Sequence, residues 1–143
     1  MLLIETVLRE SAIHGIGLFC VDAIPKGTKV WEFNPLFDQL VDEAALHRLP
    51  QAMHTFLKMY AYRSVETNQL YINLDLSRHM NHSDTPNLFT DAESSYFAAH
   101  DIPAGTELTC DYREFSQEGC DGFGVTLTQV EFQMQDTGRS IGS

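Results

Sequence analysis

The chain has 143 residues, a length that suits one domain. Its hydrophobic fraction of 43% and aromatic fraction of 10% are those of a globular protein and exclude a disordered one. Nine Lys and Arg against twenty Asp and Glu give a net charge of −11, which argues against general binding to nucleic-acid phosphates. The charge is uneven: eight acidic and six basic residues give −2 over residues 1–71, and twelve acidic and three basic ones give −9 over residues 72–143. An acidic surface either provides solubility alone or attracts basic partners, and composition leaves both open.

Short strands dominate the predicted elements, with two helices in the middle of the chain. Asp42 is placed to cap a short helix over Glu43–Leu49. Pro50 suits the first turn of a second helix, whose apolar face repeats at the spacing i, i+3, i+4, i+7. That face consists of Met53, Phe56, Leu57 and Tyr60. The predicted strands, in chain order, are Leu2–Leu8, a turn entering a strand over His14–Val21, Thr28–Asn34, Ala61–Glu66, Leu70–Leu76, Ser95–Ala99 and Glu107–Cys110. Ala61–Glu66 and Leu70–Leu76 flank residues 67–69 and are predicted to form a hairpin.

Two turns of nearly the same sequence separate these strands. Residues 24–28 read Ile-Pro-Lys-Gly-Thr, and residues 102–106 read Ile-Pro-Ala-Gly-Thr. Proline in the second place and glycine in the fourth suit a type I turn, and each turn precedes a β-rich run. Five residues do not distinguish two similar turns from a duplication.

Cysteine content and the start of the chain bear on its compartment. Cys20, Cys110 and Cys120 are an odd number without a C-x-x-C spacing, which predicts neither a disulfide framework nor a zinc site. The chain starts without a basic segment ahead of an apolar one, and no apolar run approaches the roughly 18 residues of a membrane span. We therefore expect a soluble, cytoplasmic protein that makes no contact with membranes.

Three segments have residues suited to chemistry, and each has a plainer explanation when taken alone. Residues 15–17, Gly-Ile-Gly, lack the third glycine of a dinucleotide fingerprint and either expose backbone to a ligand or form a plain turn. Residues 78–87 are densely polar. Within them His79 and His82 are one residue short of the usual zinc pairing, so a hydrogen-bonded structural network is favoured over a metal site. Residues 107–112 read as a strand ending in Asp-Tyr, where a tyrosine is more often packed than catalytic.

In this order and spacing, the three segments resemble the SET domain of protein lysine methyltransferases. The matching stretches are Gly15–Phe19, Arg78–Asn87 with its Asn-His-Ser-x-x-Pro-Asn, and Ile102–Tyr112 with its Glu-Leu-Thr-x-Asp-Tyr. The resemblance implies a mostly β fold with a few short helices, built as a β-clip-like set of small curled sheets with a C-terminal pseudoknot. It implies a SET core over residues 1–115 and a C-terminal tail over residues 116–143 that closes the lysine channel.

The resemblance also implies a site, with S-adenosylmethionine on one face and a peptide lysine entering from the other. The glycine segment would offer backbone groups to the methionine end of the cofactor, and Asn81 would bind the amino group of the cofactor. The His82 backbone would bind the edge of the adenine, and Phe115 would cover the adenine ring. The whole expected cofactor set is His14, Gly15, Ile16, Gly17, Arg78, Asn81, His82 and Phe115. Tyr112 matches the catalytic tyrosine. The lysine channel would contain Cys110 and a second tyrosine, for which Tyr62 is favoured over Tyr60.

Two departures from the family pattern matter. Cys110 stands where many members have Phe or Tyr, a position that influences how many methyl groups fit. We hypothesise that the smaller side chain leaves room for more than monomethylation, although a small buried residue is an equal alternative. The Cys cluster that follows the domain in many members is also missing, and Cys120 cannot replace it. No metal is therefore expected, and tail aromatics (Phe115, Phe123 and Phe132) or a second subunit of a homodimer would close the channel.

The function implied by the resemblance is an S-adenosylmethionine-dependent protein lysine N-methyltransferase, of the minimal, stand-alone kind similar to those of bacteria and large viruses. Its expected partner is a basic protein or peptide, histone-like or other, with no direct contact to nucleic acid. The alternatives are a catalytically weak SET-fold module that binds a basic partner, and an interaction protein that shares only the turns. If the protein is a methyltransferase, the acidic second half of the chain would form the rim of the lysine channel and steer a Lys/Arg-rich tail of the substrate toward it.

Overall fold

A computed structural model describes residues 1–116 of the chain. Within these residues there are ten short strands in four small sheets, one α-helix and three 3₁₀ helices. The strands are β1 (Thr6–Glu10), β2 (Ile16–Cys20), β3 (Lys29–Trp31), β4 (Asp38–Leu40), β5 (Tyr62–Arg63), β6 (Leu70–Asn73), β7 (Asn81–His82), β8 (Leu88–Thr90), β9 (Tyr96–Ala98) and β10 (Thr109–Cys110). The α-helix, α1, is Gln51–Tyr60, and the 3₁₀ helices are Glu43–Arg48, Leu76–His79 and Tyr112–Glu114. The predicted mostly β fold with few short helices is confirmed.

Pairing between the strands brings distant segments of the chain together. β1 pairs with β2, β9 lies between β3 and β8, and β6 lies between β4 and β5, all antiparallel. The exception is the parallel pair of β7 and β10, in which Asn81 lies opposite Thr109 and His82 opposite Cys110. This pair sets the second and third sequence motifs side by side. The pseudoknot itself stays a prediction.

Two apolar clusters form the core. The larger one lies among the sheets that carry the three motifs, and its fully buried members include Leu18, Val30, Leu88, Ile102 and Leu108. The smaller one lies under α1 and contains Leu46, Leu57, Ala61, Leu70 and Ile72. None of the helices in residues 1–116 has the length and apolar character needed to cross a membrane.

The two similar turns bind each other. The N–H of Ile24 donates to the carbonyl of Ile102 and the reverse bond also forms, both at 2.8 Å. Further bonds repeat this exchange on either side: Cys20 N–H donates to the Thr106 carbonyl at 3.0 Å, and Ala98 N–H donates to the Thr28 carbonyl at the same distance. The glycines of both turns have the positive φ angles that the turns require, +80° and +74°. The turns are thus related by a local two-fold arrangement, which five residues of sequence could not reveal.

The predicted elements in the middle of the chain need correction. The helix after Pro50 forms, but it buries His54 and Leu57 and leaves Met53 42% exposed. A histidine can occupy this buried place because its Nε2 lies 3.2 Å from the carbonyl oxygen of Leu49. The strand predicted over Leu70–Leu76 ends at Asn73, since Asp75 accepts a hydrogen bond from the Ser77 N–H and begins a 3₁₀ helix.

Other predicted boundaries also shift. The first strand starts at Thr6 rather than Leu2, and Leu2 makes only an isolated bridge to Trp31. The helix predicted over Glu43–Leu49 is a 3₁₀ helix, with Asp42 as its N-cap as expected. Strands β4, β7 and β8 were not predicted; each has only two or three residues and is defined by its partner strand.

Candidate active site

A polar cluster joins the glycine segment to the second and third motifs. The carboxylate of Glu107 lies 2.8 and 2.9 Å from the Ser11 hydroxyl, which donates to it, and its Oε1 accepts from Asn81 Nδ2 at 2.9 Å. The same Nδ2 lies 3.0 Å from the His14 carbonyl oxygen and 3.3 Å from that of Ile16. Asn81 is buried, so these acceptors satisfy an amide group that would otherwise lose its water without compensation.

The two glycines serve different purposes. A Cβ added to Gly17 would lie 2.2 Å from Oε1 of Glu107, so the missing side chain makes room for the carboxylate. Gly15 has a φ of +47° with open space around it, so its role is to turn the chain. Ile16, between them, is 54% exposed. The glycine segment therefore lies at the surface beside Asn81.

Tyr112 is buried beside the second motif. Its hydroxyl donates to the Met80 carbonyl oxygen at 2.6 Å, and its N–H donates to His82 Nδ1 at 3.1 Å. Because Nδ1 accepts, a neutral His82 carries its proton on Nε2, which lies 3.1 Å from a carboxylate oxygen of Asp84. Burial, with a contribution from Cys110, raises the pKa of Tyr112, so the phenol keeps its proton at neutral pH.

A cavity of about 370 Å³ opens between the sheets. Its aromatic wall consists of Trp31, Phe33, Tyr60, Tyr62, Tyr71, Tyr96 and Phe115. Met80 and Cys110 line it as well, and Tyr112, which ends the third motif, packs edge-on against the lining residue Phe115 at 5.7 Å. The ring of Tyr62 stacks on Tyr71 with centroids 6.0 Å apart and meets Phe115 edge-on at 5.1 Å. Burial raises the pKa of Tyr62, so this wall is uncharged.

Exposed carboxylates line the same cavity. They belong to Glu66, Glu93 and Glu114, against one guanidinium, that of Arg78, among the described lining residues. The Ser94 hydroxyl donates to Glu66 at 2.6 Å and so ties two of the surrounding loops together. The cavity mouth is therefore electronegative.

A family model described as SET domain matches residues 15–113. The chain belongs to the SET-domain family. No curated protein matches its sequence.

Solved structures share its fold at low sequence identity. One is ctPRC2 in an autoinhibited conformation bound to S-adenosylmethionine, with 20% identity over 93% of this chain and 17% of that one, and a TM-score of 0.58. Another is a humanized mutant of the Chaetomium thermophilum Polycomb Repressive Complex 2 bound to the inhibitor GSK126, with 23% identity over 88% and 16%, and a TM-score of 0.58. A third is ctPRC2 in complex with H3K27me3 and H3K27M, with 24% identity over 76% and 14%, and a TM-score of 0.55. This SET domain thus spans about a sixth of those chains.

In this SET domain Arg78 lies apart from the polar cluster that contains Asn81. Its guanidinium lies over the rings of Phe56 and Tyr60, at 5.6 and 5.5 Å, and its Nε lies 3.4 Å from His79 Nε2. It therefore faces the cavity from the side of α1 and makes no described hydrogen bond to the Ser11–Glu107 cluster. Residues 1–116 contain no group of three His, Cys, Asp or Glu side chains arranged to hold a metal ion.

Asn87 fastens the third motif to the second. Its Nδ2 donates to the Glu107 carbonyl at 2.8 Å, and its Oδ1 accepts from the Thr109 N–H at 2.9 Å. Its own N–H donates to the Thr109 hydroxyl at 3.2 Å. The side chain therefore replaces a missing strand partner between the two segments, which is a structural role.

Sequence reasoning missed several site residues. Ser11 acts through its hydroxyl and stands in no recognisable pattern, and Met80 lies within the second motif but acts through its backbone carbonyl. Trp31 and Tyr96 are buried aromatic residues of short strands, as in any core, so only the cavity distinguishes them. Ser116 pairs with Ser64, whereas Cys120, Phe123, Phe132 and the expected closure of the channel by the tail lie outside the described residues.

Proposed function

We propose that this SET domain is an S-adenosylmethionine-dependent protein lysine N-methyltransferase that acts on a basic protein or peptide, such as a histone tail. The observation that carries the proposal is a pair of oxygens, the Tyr112 hydroxyl and the Met80 carbonyl, which lie 2.6 Å apart, with Met80 lining an aromatic cavity that has an acidic mouth. A similar fold in ctPRC2 is bound to S-adenosylmethionine, which supports the choice of cofactor.

The glycine segment fits this cofactor. Protein acceptors hold Asn81 Nδ2, which leaves Oδ1 to accept from the ammonium of the cofactor. The open backbone around Gly15 offers further groups with no side chain in the way. The proposed contacts on this side are His14, Gly15, Ile16, Gly17, Asn81 and His82. Arg78 and Phe115, which line the aromatic cavity, are proposed to reach the cofactor from that side. When bound, the cofactor supplies an electrophilic methyl group on a sulfonium.

The cavity walls suit a lysine side chain. Aromatic rings pack against its methylene groups, as they do for other long cationic side chains. A free lysine is almost wholly protonated at neutral pH, and an uncharged wall disfavours the ammonium and lowers the pKa of the amine. Glu66, Glu93 and Glu114 attract the rest of a basic peptide to the mouth. The ctPRC2 complex with H3K27me3 and H3K27M makes a histone tail a reasonable first substrate to try.

The two oxygens position the reaction. The Tyr112 proton is donated to Met80, so the phenol oxygen keeps its electron pairs for weak C–H···O contacts with a methyl group, and the carbonyl can make the same contacts. Displacement at carbon needs the amine in line with the bond that breaks, so positioning is the main requirement and no histidine base is needed. Tyr112 is the residue proposed as catalytic, and Tyr62, Tyr60 and Cys110 form the proposed channel.

The test uses the full chain with tritiated cofactor and a panel of basic proteins that includes core histones. We expect wild-type protein to label at least one of them and Tyr112→Phe to label it at least about tenfold more slowly, which corresponds to about 1.4 kcal/mol in the transition state. Calorimetric titration with S-adenosylmethionine should show unchanged binding by the variant. A wild-type chain that binds no cofactor would instead favour the catalytically weak module.

A further inference from the structure

Tyr112 is held at both ends by residues of the second motif. Its hydroxyl donates to the Met80 carbonyl at 2.6 Å, and its backbone N–H donates to Nδ1 of His82 at 3.1 Å. The rings of His82 and Tyr112 also lie against each other, with centroids 5.3 Å apart. The N–H contact exists only while Nδ1 has no proton of its own, because a protonated ring nitrogen donates and does not accept. The position of Tyr112 therefore depends on the protonation of His82.

Two carboxylates lie beside this imidazole, one at each ring nitrogen. Asp84 Oδ1 lies 3.1 Å from Nε2, and Asp111 Oδ1 lies 3.7 Å from Nδ1. The His82 side chain is 20% exposed, so water screens these charges less than it screens charges on an open surface. Both carboxylates attract a second proton to the ring, and the place for that proton is Nδ1.

The guanidinium of Arg113 binds both of these carboxylates. Its Nε and Nη2 hold the two oxygens of Asp111 at 2.8 and 2.7 Å, and the same Nη2 lies 3.2 Å from Asp84 Oδ1. The hydrogen bonds from Arg113 lower the pKa of Asp111, so this carboxyl group is charged at neutral pH. The described charged groups that face the His82 ring are thus two carboxylates, with one guanidinium bound to both of them.

We propose that Arg113 is a positioning residue: by balancing Asp84 and Asp111 it keeps His82 neutral, and neutral His82 holds Tyr112 in place. The consequence for methyl transfer rests on the proposed function. Without the guanidinium, the two carboxylates draw a proton from water onto Nδ1 of His82. The new N–H then faces the N–H of Tyr112, so two donors meet with no acceptor between them. The tyrosine shifts, and its hydroxyl no longer has the geometry that the reaction needs.

The first measurement follows His82 itself, in the full chain and without cofactor. NMR spectra record the imidazole nitrogens of His82 and the backbone amide of Tyr112 from about pH 5 to about pH 9. In Arg113→Gln we expect the midpoint of the His82 transition to rise by about half a pH unit to one unit, and the Tyr112 amide signal to change over the same range. Arg113→Lys keeps the charge and should stay close to the wild type. Arg48→Gln is the matched control, since it removes one positive charge from an exposed site on the 3₁₀ helix Glu43–Arg48.

The second measurement follows methyl transfer by the same variants. The rate of Arg113→Gln divided by that of the wild type cancels the protonation of the substrate amine, which both proteins share. We expect this ratio to be about one half or less near neutral pH and to approach one near pH 9, where His82 is neutral in both. The loss should appear in kcat, with little change in the KM for S-adenosylmethionine. Adding Asp84→Asn to Arg113→Gln should restore part of the rate, because one of the unbalanced carboxylates is then gone.

The outcomes separate this inference from the proposed function. An unchanged His82 midpoint in Arg113→Gln, or a rate ratio that is the same at every pH, would overturn the role of Arg113 while leaving the methyltransferase in place. An equal shift in Arg48→Gln would assign the effect to net charge and would overturn that role as well. If the wild-type chain transfers no methyl group to any basic protein, the proposed function fails, and the NMR titration still decides whether Arg113 keeps His82 neutral.

Discussion

Gly17 is where one added methyl group should most disturb the polar cluster. In Gly17→Ala the new Cβ would meet Glu107 Oε1 at 2.2 Å, its Cδ at 2.7 Å and Ser11 Cβ at 3.1 Å. Glu107 cannot simply swing aside, because Ser11 and Asn81 hold it by hydrogen bonds. Overpacking costs about 1–3 kcal/mol and a lost hydrogen bond to a charged group about 1.5–3 kcal/mol, so we expect a loss of about 2–4 kcal/mol in the free energy of unfolding.

Urea unfolding of four variants tests this reasoning. Gly15→Ala is the control, for it has a positive φ but open space, and should cost only about 1–2 kcal/mol. The decisive comparison is between the free energies of unfolding of Glu107→Ala and of the double variant that also carries Gly17→Ala. Once the carboxylate is removed, the added methyl group should cost less than about 1 kcal/mol, because the clash is gone. An undiminished cost in the Glu107→Ala background would refute the assignment of the clash to that carboxylate.

Three further predictions follow from the site. Asn87→Ala leaves the Glu107 carbonyl and the Thr109 N–H without their partner, so it should lower the free energy of unfolding by about 2–4 kcal/mol in urea titrations. Stability equal to that of the wild type would contradict this role of Asn87. Because the raised pKa of Tyr112 keeps its phenol protonated, methylation rates should keep rising from neutral pH to about 10 as the substrate amine loses its proton, without a fall in between. Finally, kcat/KM should fall steeply with added salt, because salt screens the attraction between the acidic mouth and a basic substrate. Changing Glu66, Glu93 and Glu114 together to Gln should flatten that dependence. A flat salt response in the wild-type protein would show that the acidic mouth does not speed the association of enzyme and substrate.

Local sequence patterns predicted the elements that local physics controls. The Asp42 cap, the helix after Pro50 and the Pro-Gly turns depend on neighbouring residues and were found correctly. The helix face was wrong at His54, since apolar spacing cannot show that a carbonyl from outside the helix will satisfy a buried histidine. Strands such as β7 have two residues, too few for any period, and form because β10 lies beside them.

The site, like the fold, was predicted only where single segments of the sequence carry the information. The order of the three motifs identified the family, whereas the packing of Tyr112 against Phe115 of the cavity wall is visible only in the structure. The approach of Glu107 to Gly17 joins the two ends of the matched region and leaves no trace in either segment alone. The hypothesis that Cys110 leaves room for more than one methyl group stays a prediction, because the space beside a small side chain is determined by distant residues that pack there.

The mutual binding of the two Ile-Pro turns has a consequence for how the chain folds. Residues 20–28 and residues 98–106 are joined by a series of backbone hydrogen bonds, so this part of the structure is completed only when both segments are present. During synthesis the first segment leaves the ribosome long before the second exists, and its unpaired backbone is open to other chains meanwhile. Closing so large a loop is slow compared with forming α1, so this domain should acquire its helix early and its native sheets late.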